Sequence, residues 1–63
     1  MINNTLHGYT IDVTDVVNGY RGAGTFEDVN EEQAVESAKL YYADKFGTYD
    51  KIDIRINSII KSY

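Results

Sequence analysis

The segment 28–47, DVNEEQAVESAKLYYADKFG, is the strongest constraint on how this chain can fold. It reads as one capped amphipathic helix set between stretches that alternate like strands. Asn30 is suited to cap its start, and Gln33, three residues on, completes a capping-box spacing. Glu31 and Glu32 suit the positive end of the helix dipole, Lys45 suits the negative end, and Gly47 is placed for a left-handed C-terminal cap. At ~100° per residue, Ala34, Val35, Ala38, Tyr41, Tyr42 and Phe46 fall within an arc of ~140°, a normal core-facing stripe. Leu40 points almost the opposite way, beside Gln33, Ser37 and Asp44.

In 9–17, YTIDVTDVV, the residues Tyr9, Ile11, Val13 and Val17 alternate with Thr10, Asp12, Thr14 and Val16, the period of a half-buried strand. Asn18-Gly19 then predicts a two-residue hairpin turn of the type that needs positive φ at both central residues. Pairing Val17 with Tyr20 across it sets Asp15 against Gly22, Val13 against Gly24 and Ile11 against Phe26. Ile11, Val13, Val17, Tyr20 and Phe26 then share one face, and Thr10, Asp12, Thr14, Val16, Arg21, Ala23, Thr25 and Glu27 share the other. A one-residue slip would scramble that separation. Only Asp15 sits badly, and Gly22 and Gly24 face the core, where large helix side chains can approach the backbone.

After a turn at 48–50, KIDIRINSII alternates again, with Ile52, Ile54, Ile56 and Ile60 on one face and Asp53, Arg55, Asn57 and Ile59 on the other. The order strand, strand, helix, strand predicts an α+β fold: a two-layer sandwich in which a single helix covers one face of a three-stranded sheet. A helix of ~16 residues spans ~24 Å and returns the chain to the start of the sheet. The last strand then runs antiparallel to the first, and a right-handed crossover gives the spatial order 2-1-3.

Sixty-three residues, 1–63, make a single small domain. A core of this size rarely supplies more than ~3–5 kcal/mol, and such scaffolds usually add disulfides, a metal or a partner. With no cysteine and one histidine, His7, the chain offers neither disulfides nor a thiolate metal site, which leaves a partner or a second copy as the expected extra source of stability. No cofactor and no metal are expected. The amino-terminal MINNTLHGY has neither the basic flank nor the apolar core of a signal peptide, and nothing is long and apolar enough to span a bilayer. The expected location is the cytoplasm.

Ten acids against six bases give a net charge of −4, and the bases are scattered, so direct nucleic-acid binding is disfavoured. Proteins that carry a basic groove are the natural partners instead. One histidine, no cysteine and no paired carboxylates in a cleft leave little for acid–base or nucleophilic catalysis, so no enzymatic activity is expected. The glycines of NGYRGAGTF fall inside a hairpin rather than between a strand and a helix, which fits turns and close packing better than a phosphate loop.

Two features exceed what the fold needs. The acidic run Glu27, Asp28, Glu31, Glu32 and Glu36 serves solubility and the helix start, and equally suits a surface that imitates phosphates. Leu40 points outward, Val16 and Ile59 are assigned to the sheet face away from the helix, and six tyrosines add interface character. Of these, Tyr49 and Tyr63 read as the freest.

The layout YTIDVTDVV-NG, then one acidic-started helix, then KIDIRINSII resembles the phage uracil-DNA glycosylase inhibitors of Bacillus phages. That resemblance implies a homodimer that mimics DNA and traps a host repair enzyme. The stretch FEDVNEEQAVESAKLYY also looks like helices of small accessory proteins of mobile elements, the DpnD/PcfM-like group, and the size and acidity are similar to those of anti-CRISPR proteins. The expectation is a non-enzymatic, phage-encoded protein acting in the host cell on a nucleic-acid-handling enzyme, without itself touching nucleic acid or membrane. Its partner-binding residues are expected to be Glu27, Asp28, Glu31, Glu32, Glu36, Leu40, Tyr41 and Tyr49. The alternatives are an assembly module that dimerises through the open sheet face and a small-ligand sponge.

Overall fold

Residues 5–63, described by a computed structural model, run as β1 (His7–Asp15), β2 (Arg21–Asp28), α1 (Glu31–Phe46), a 3-10 turn (Lys51–Asp53) and β3 (Ile54–Lys61). Residues 1–4, the start of the stretch read as lacking a signal peptide, lie outside the described residues. The strands form one sheet in the order β2-β1-β3, antiparallel at both pairings, with α1 packed on one face. This is the α+β sandwich with order 2-1-3 that the alternation predicts. Among the described residues no helix is long and apolar enough to cross a membrane.

The hairpin departs from expectation. Val13 pairs with Gly22 and Ile11 with Gly24, a displacement of two residues from the register drawn around Asn18-Gly19. The connection is a four-residue loop, 16–19, closed by Asp15 N–H donating to the Tyr20 carbonyl at 2.8 Å and Gly19 N–H donating to the Asp15 carbonyl at 2.8 Å. Within the loop only Gly19 has positive φ, at 80°, so the two-residue turn, which requires it at Asn18 too, does not form. The cause is Asp15. Its Oδ1 accepts from Val17 N–H at 2.9 Å and Asn18 N–H at 3.0 Å, an Asx-type closure that competes with the tighter turn. Val17 and Tyr20, expected on the core face, are exposed as a result.

Within the ladder a displacement of two keeps each side chain on its face. Tyr9, Ile11 and Val13 are buried under the helix and Phe26 packs against them. A Cβ added to Gly22 would lie 2.7 Å from the Tyr42 ring and 3.1 Å from that of Phe46, so the glycine is where the helix aromatics descend onto β2.

The helix begins and ends as its sequence directs. Asn30 Oδ1 accepts from Gln33 N–H at 2.8 Å, and Gly47 takes φ 70° at the C-cap. A cap of this kind is worth ~1 kcal/mol. Ala34, Ala38, Tyr42 and Ala43 are buried, with Val35 and Phe46 packed beside them. Tyr41, expected in the core stripe, is instead 51% exposed at its margin, and Ala43 takes the buried place.

The third strand also differs. Ile52 sits in the 3-10 turn, capped by Asp50, and is exposed rather than part of the strand's inner face. Ile54 and Ile56 face the helix, but β3 then bulges: Val13 pairs with Ile56 and Asp12 with Ser58, leaving Asn57 without a partner in β1. One extra residue inverts the alternation beyond it. Ile59, assigned by period to the open face, turns in against the core, and Ile60, assigned inward, is 64% exposed.

Candidate partner-binding surface

The outward side of α1 gathers Glu32, Gln33, Glu36, Ser37 and Leu40 around one shallow depression of about 370 Å³. The spacing alone explains this, since residues three and four apart stack on one helix face. Leu40 is 55% exposed at its centre and belongs to no core contact cluster. Glu31 and Glu32 occupy the first turn, and among the described residues no side chain bonds either of them.

The other expected acids are engaged within the fold. Glu36 is paired with Lys51 of the 3-10 turn. Asp28 accepts from its neighbour's N–H (Val29) at 3.1 Å and from Ser37 Oγ at 3.1 Å, tying the end of β2 to the helix. Glu27 faces the opposite side of the sheet and accepts from the Tyr63 hydroxyl, a bond that pushes the tyrosine's pKa up. Tyr63, read as one of the two freest tyrosines, is therefore held, its ring lying over Gly8. Tyr49 is fully exposed in the loop after α1, at the end of the helix away from Glu31 and Glu32. Tyr41 lies on the helix flank above β2, edge-on to Phe26 at 5.7 Å between ring centres, with the Lys45 ammonium 5.8 Å from its ring. The eight expected residues thus divide: Glu32, Glu36 and Leu40 share one surface, with Asp28 bonded to Ser37 at its edge, while Glu31 lies half a turn round the helix from Leu40 and Glu27, Tyr41 and Tyr49 lie elsewhere.

The sheet face away from the helix is mostly polar, with Ile60 turned out onto it opposite Thr10. Arg21 donates from Nε and Nη2 to the two carboxylate oxygens of Asp12, each at 3.0 Å, holding that carboxyl below its usual range and the guanidinium above its own. Asn57 reaches across from the bulge, its Nδ2 donating to Asp12 at 2.9 Å and to Thr14 at 2.7 Å. Thr10 bonds Thr25 at 3.1 Å and Ser62 at 3.2 Å. Val16 is in the loop and Ile59 is turned inward, so the apolar pair assigned to this face is not on it. His7 opens β1 with Nδ1 3.2 Å from the Tyr63 carbonyl. Among the described residues no three His, Asp or Glu side chains gather to hold a metal ion.

Two features were missed from sequence. The first is Asp15, which is fully buried and also accepts from Asn18 Nδ2 at 2.9 Å and from the Thr48 hydroxyl at 2.6 Å. These bonds, Thr48 first, outweigh desolvation and hold its pKa at about 2. An acid placed before an Asn-Gly loop was the available signal. The second is a groove of about 470 Å³ between the outer edge of β2 and the aromatic flank of α1, lined by Gly22, Gly24 and Phe26 below and Tyr41, Tyr42 and Lys45 above. Glycines on the core face of a hairpin strand were the signal for it. The chain matches no family model, and comparisons with curated proteins and with solved structures find no match.

Proposed function

We propose that this is a non-enzymatic binding protein, phage-encoded and acting in the host cytoplasm, that inhibits a host nucleic-acid-handling enzyme by occupying its basic groove. The outward face of α1 carries the reading: Glu32 and Glu36, one turn apart, flank exposed Leu40, Glu31 adds a second acid to the first turn from another side of the helix, and among the described residues no side chain bonds Glu31 or Glu32. None of these side chains is needed by the core, and together they offer negative charge around one apolar anchor. The helix supplies direction as well, because its acids are fixed on a rigid element rather than a loop. The −4 net charge supports steering toward a cationic groove. The resemblance of the layout to phage uracil-DNA glycosylase inhibitors, and of the size and acidity to anti-CRISPR proteins, is in keeping with the same role.

Host extracts assayed for uracil excision and for nuclease activity provide the test. The purified protein is expected to suppress one of these activities at low salt and less well at high salt. Reversing Glu31, Glu32 and Glu36 to lysine is expected to raise the half-inhibitory concentration at least roughly tenfold, with the fold verified by circular dichroism because acids in the first turn also favour the helix by ~0.3–1 kcal/mol each. Full activity of both enzymes in the presence of the protein, or equal inhibition by the reversed variant, sinks the proposal.

A further inference from the structure

β2 is an edge strand, and among the described residues no strand pairs with its outer edge. Along β1, Gly8 and Val16 direct their amides to the β3 side, while Asp15 bonds Tyr20 on the β2 side. Antiparallel ladders alternate, so His7, Tyr9, Ile11 and Val13 bond Asp28, Phe26, Gly24 and Gly22. The N–H and C=O groups of Arg21, Ala23, Thr25 and Glu27 therefore point away from the sheet. Natural edges are usually blunted by bulges, proline or inward-pointing charge. β3, the other edge, carries a bulge at Asn57; β2 pairs without interruption, has no proline, and has glycines on its inner face.

We propose that the β2 edge pairs antiparallel with the same edge of a second copy, setting Gly24 against the partner's Gly24 and joining two three-stranded sheets into one of six strands. Three features select this register. Paired residues must share a face and both direct their backbone groups outward, and Arg21 with the partner's Glu27, and Ala23 with the partner's Thr25, meet both conditions. Arg21 opposite the partner's Glu27 is also an opposite-charge pair, formed twice by the two-fold symmetry. Arg21 spends Nε and Nη2 on Asp12, and Glu27 spends Oε2 on Tyr63, so Nη1 and Oε1 remain for the contact. On the helix side the partner's Phe26 falls opposite Gly22, where it extends the aromatic cluster of Phe26, Tyr41 and Tyr42 along the groove. Shifting the register by two residues either way loses the charge pair, placing Arg21 against the partner's Thr25 or Val29.

This interface is separate from the acidic face of α1, and either can fail without the other. Sedimentation of the full chain over a wide concentration range tests it. The wild type is expected to dimerise, and Arg21→Glu or Glu27→Arg alone to raise the dimer dissociation constant roughly tenfold, because two attractive pairs become two repulsive ones. Mixing the two variants is expected to restore association, since the heterodimer regains both pairs. Thr25→Pro removes an outward amide that bonds nothing in β1, so it is expected to abolish the dimer and leave the monomer folded. Amide exchange adds a site-resolved readout: the Ala23 and Thr25 amides gain protection as concentration rises, while those of Gly22 and Gly24 are protected throughout. A chain monomeric at every concentration, including one that instead accepts a foreign peptide strand at this edge, overturns the proposal. So does a dimer that Thr25→Pro and the charge reversals leave unchanged.

Discussion

The two pairings that β1 makes respond differently to error. Against β2 the register lies two residues from the one that the Asn18-Gly19 turn implies, and the inward side chains within the ladder are still inward, only Val17 and Tyr20 beside the loop being lost to solvent. Against β3 a single extra residue at Asn57 inverts the pattern, so Ile59 and Ile60 exchange faces. Side chains alternate with a period of two, and an even displacement is silent for burial while an odd one reverses it. A hairpin can thus be read correctly for its faces and wrongly for its neighbours. A bulged edge fails the other way: the strand is found, and the faces are wrong beyond one residue.

A one-residue deletion in β2 is expected to have the largest effect, because it is an odd displacement on the side that tolerates an even one. Removing Ala23 leaves two outcomes. If the loop end holds its register, Phe26 turns out of the core, a loss comparable to the ~3–5 kcal/mol of a buried aromatic truncation. If the far end holds, Arg21 is forced into the place of Gly22, where an added Cβ already lies 2.7 Å from Tyr42. Either loss matches the ~3–5 kcal/mol that one small core provides. Thermal denaturation followed by circular dichroism is expected to show no cooperative transition for this variant. A melting curve close to wild type would mean that burial on the β2 side does not depend on parity.

A smaller effect is expected where the loop, rather than the ladder, is attacked. Asp15 closes the four-residue loop and joins it to Thr48 beyond the helix. Its pKa is about 2 in the fold against an ordinary 3.8, so the folded state favours the carboxylate. The stabilisation is fully present above pH ~4 and is lost as pH falls toward 2. Asp12, held down by Arg21 and then Asn57, titrates in the same direction. Tm is expected to drop through that acid window in the wild type, and Asp15→Asn to start lower at neutral pH with a shallower acid slope. An acid slope unchanged by Asp15→Asn would place the linkage elsewhere.

What was legible in the sequence follows from range. The helix limits rest on contacts within one turn, and both Asn30 and Gly47 act as their types suggest. The outward direction of Leu40 follows from the helical period alone, so the acidic face around it was readable. Tyr41 was not, because it lies at the margin of the stripe, where burial depends on where β2 ends below it. Asp15 stands out in the sequence as an acid on the core face, but its role does not: its partner Thr48 is 33 residues away, and nothing local announces that contact. The bulge was invisible for a similar reason. Asn57 looks like any polar strand residue until Asp12 and Thr14, on another strand, are seen to receive its amide.

The gentlest perturbation separates a bulge from a register error. Deleting Asn57 makes Ser58 follow Ile56 directly, so Ser58 still meets Asp12 and Ile59 still meets Ile11. Unlike the deletion of Ala23, this change keeps every isoleucine on its present face and straightens the ladder. The loss is confined to the exposed Asn57 bonds, those it donates to Asp12 and Thr14 and the long one it accepts from Arg55, ~1 kcal/mol, which for a domain of this length lowers Tm by about 4–8 °C. The same deletion removes the kink that guards the β3 edge, so added self-association at high concentration is expected from an edge now as flat as that of β2. Loss of cooperative unfolding would show instead that Asn57 sets the faces of β3 rather than merely bridging them. That result would move the bulge from an edge device to a condition of the core, and would make the two pairings of β1 equally intolerant of a single missing residue.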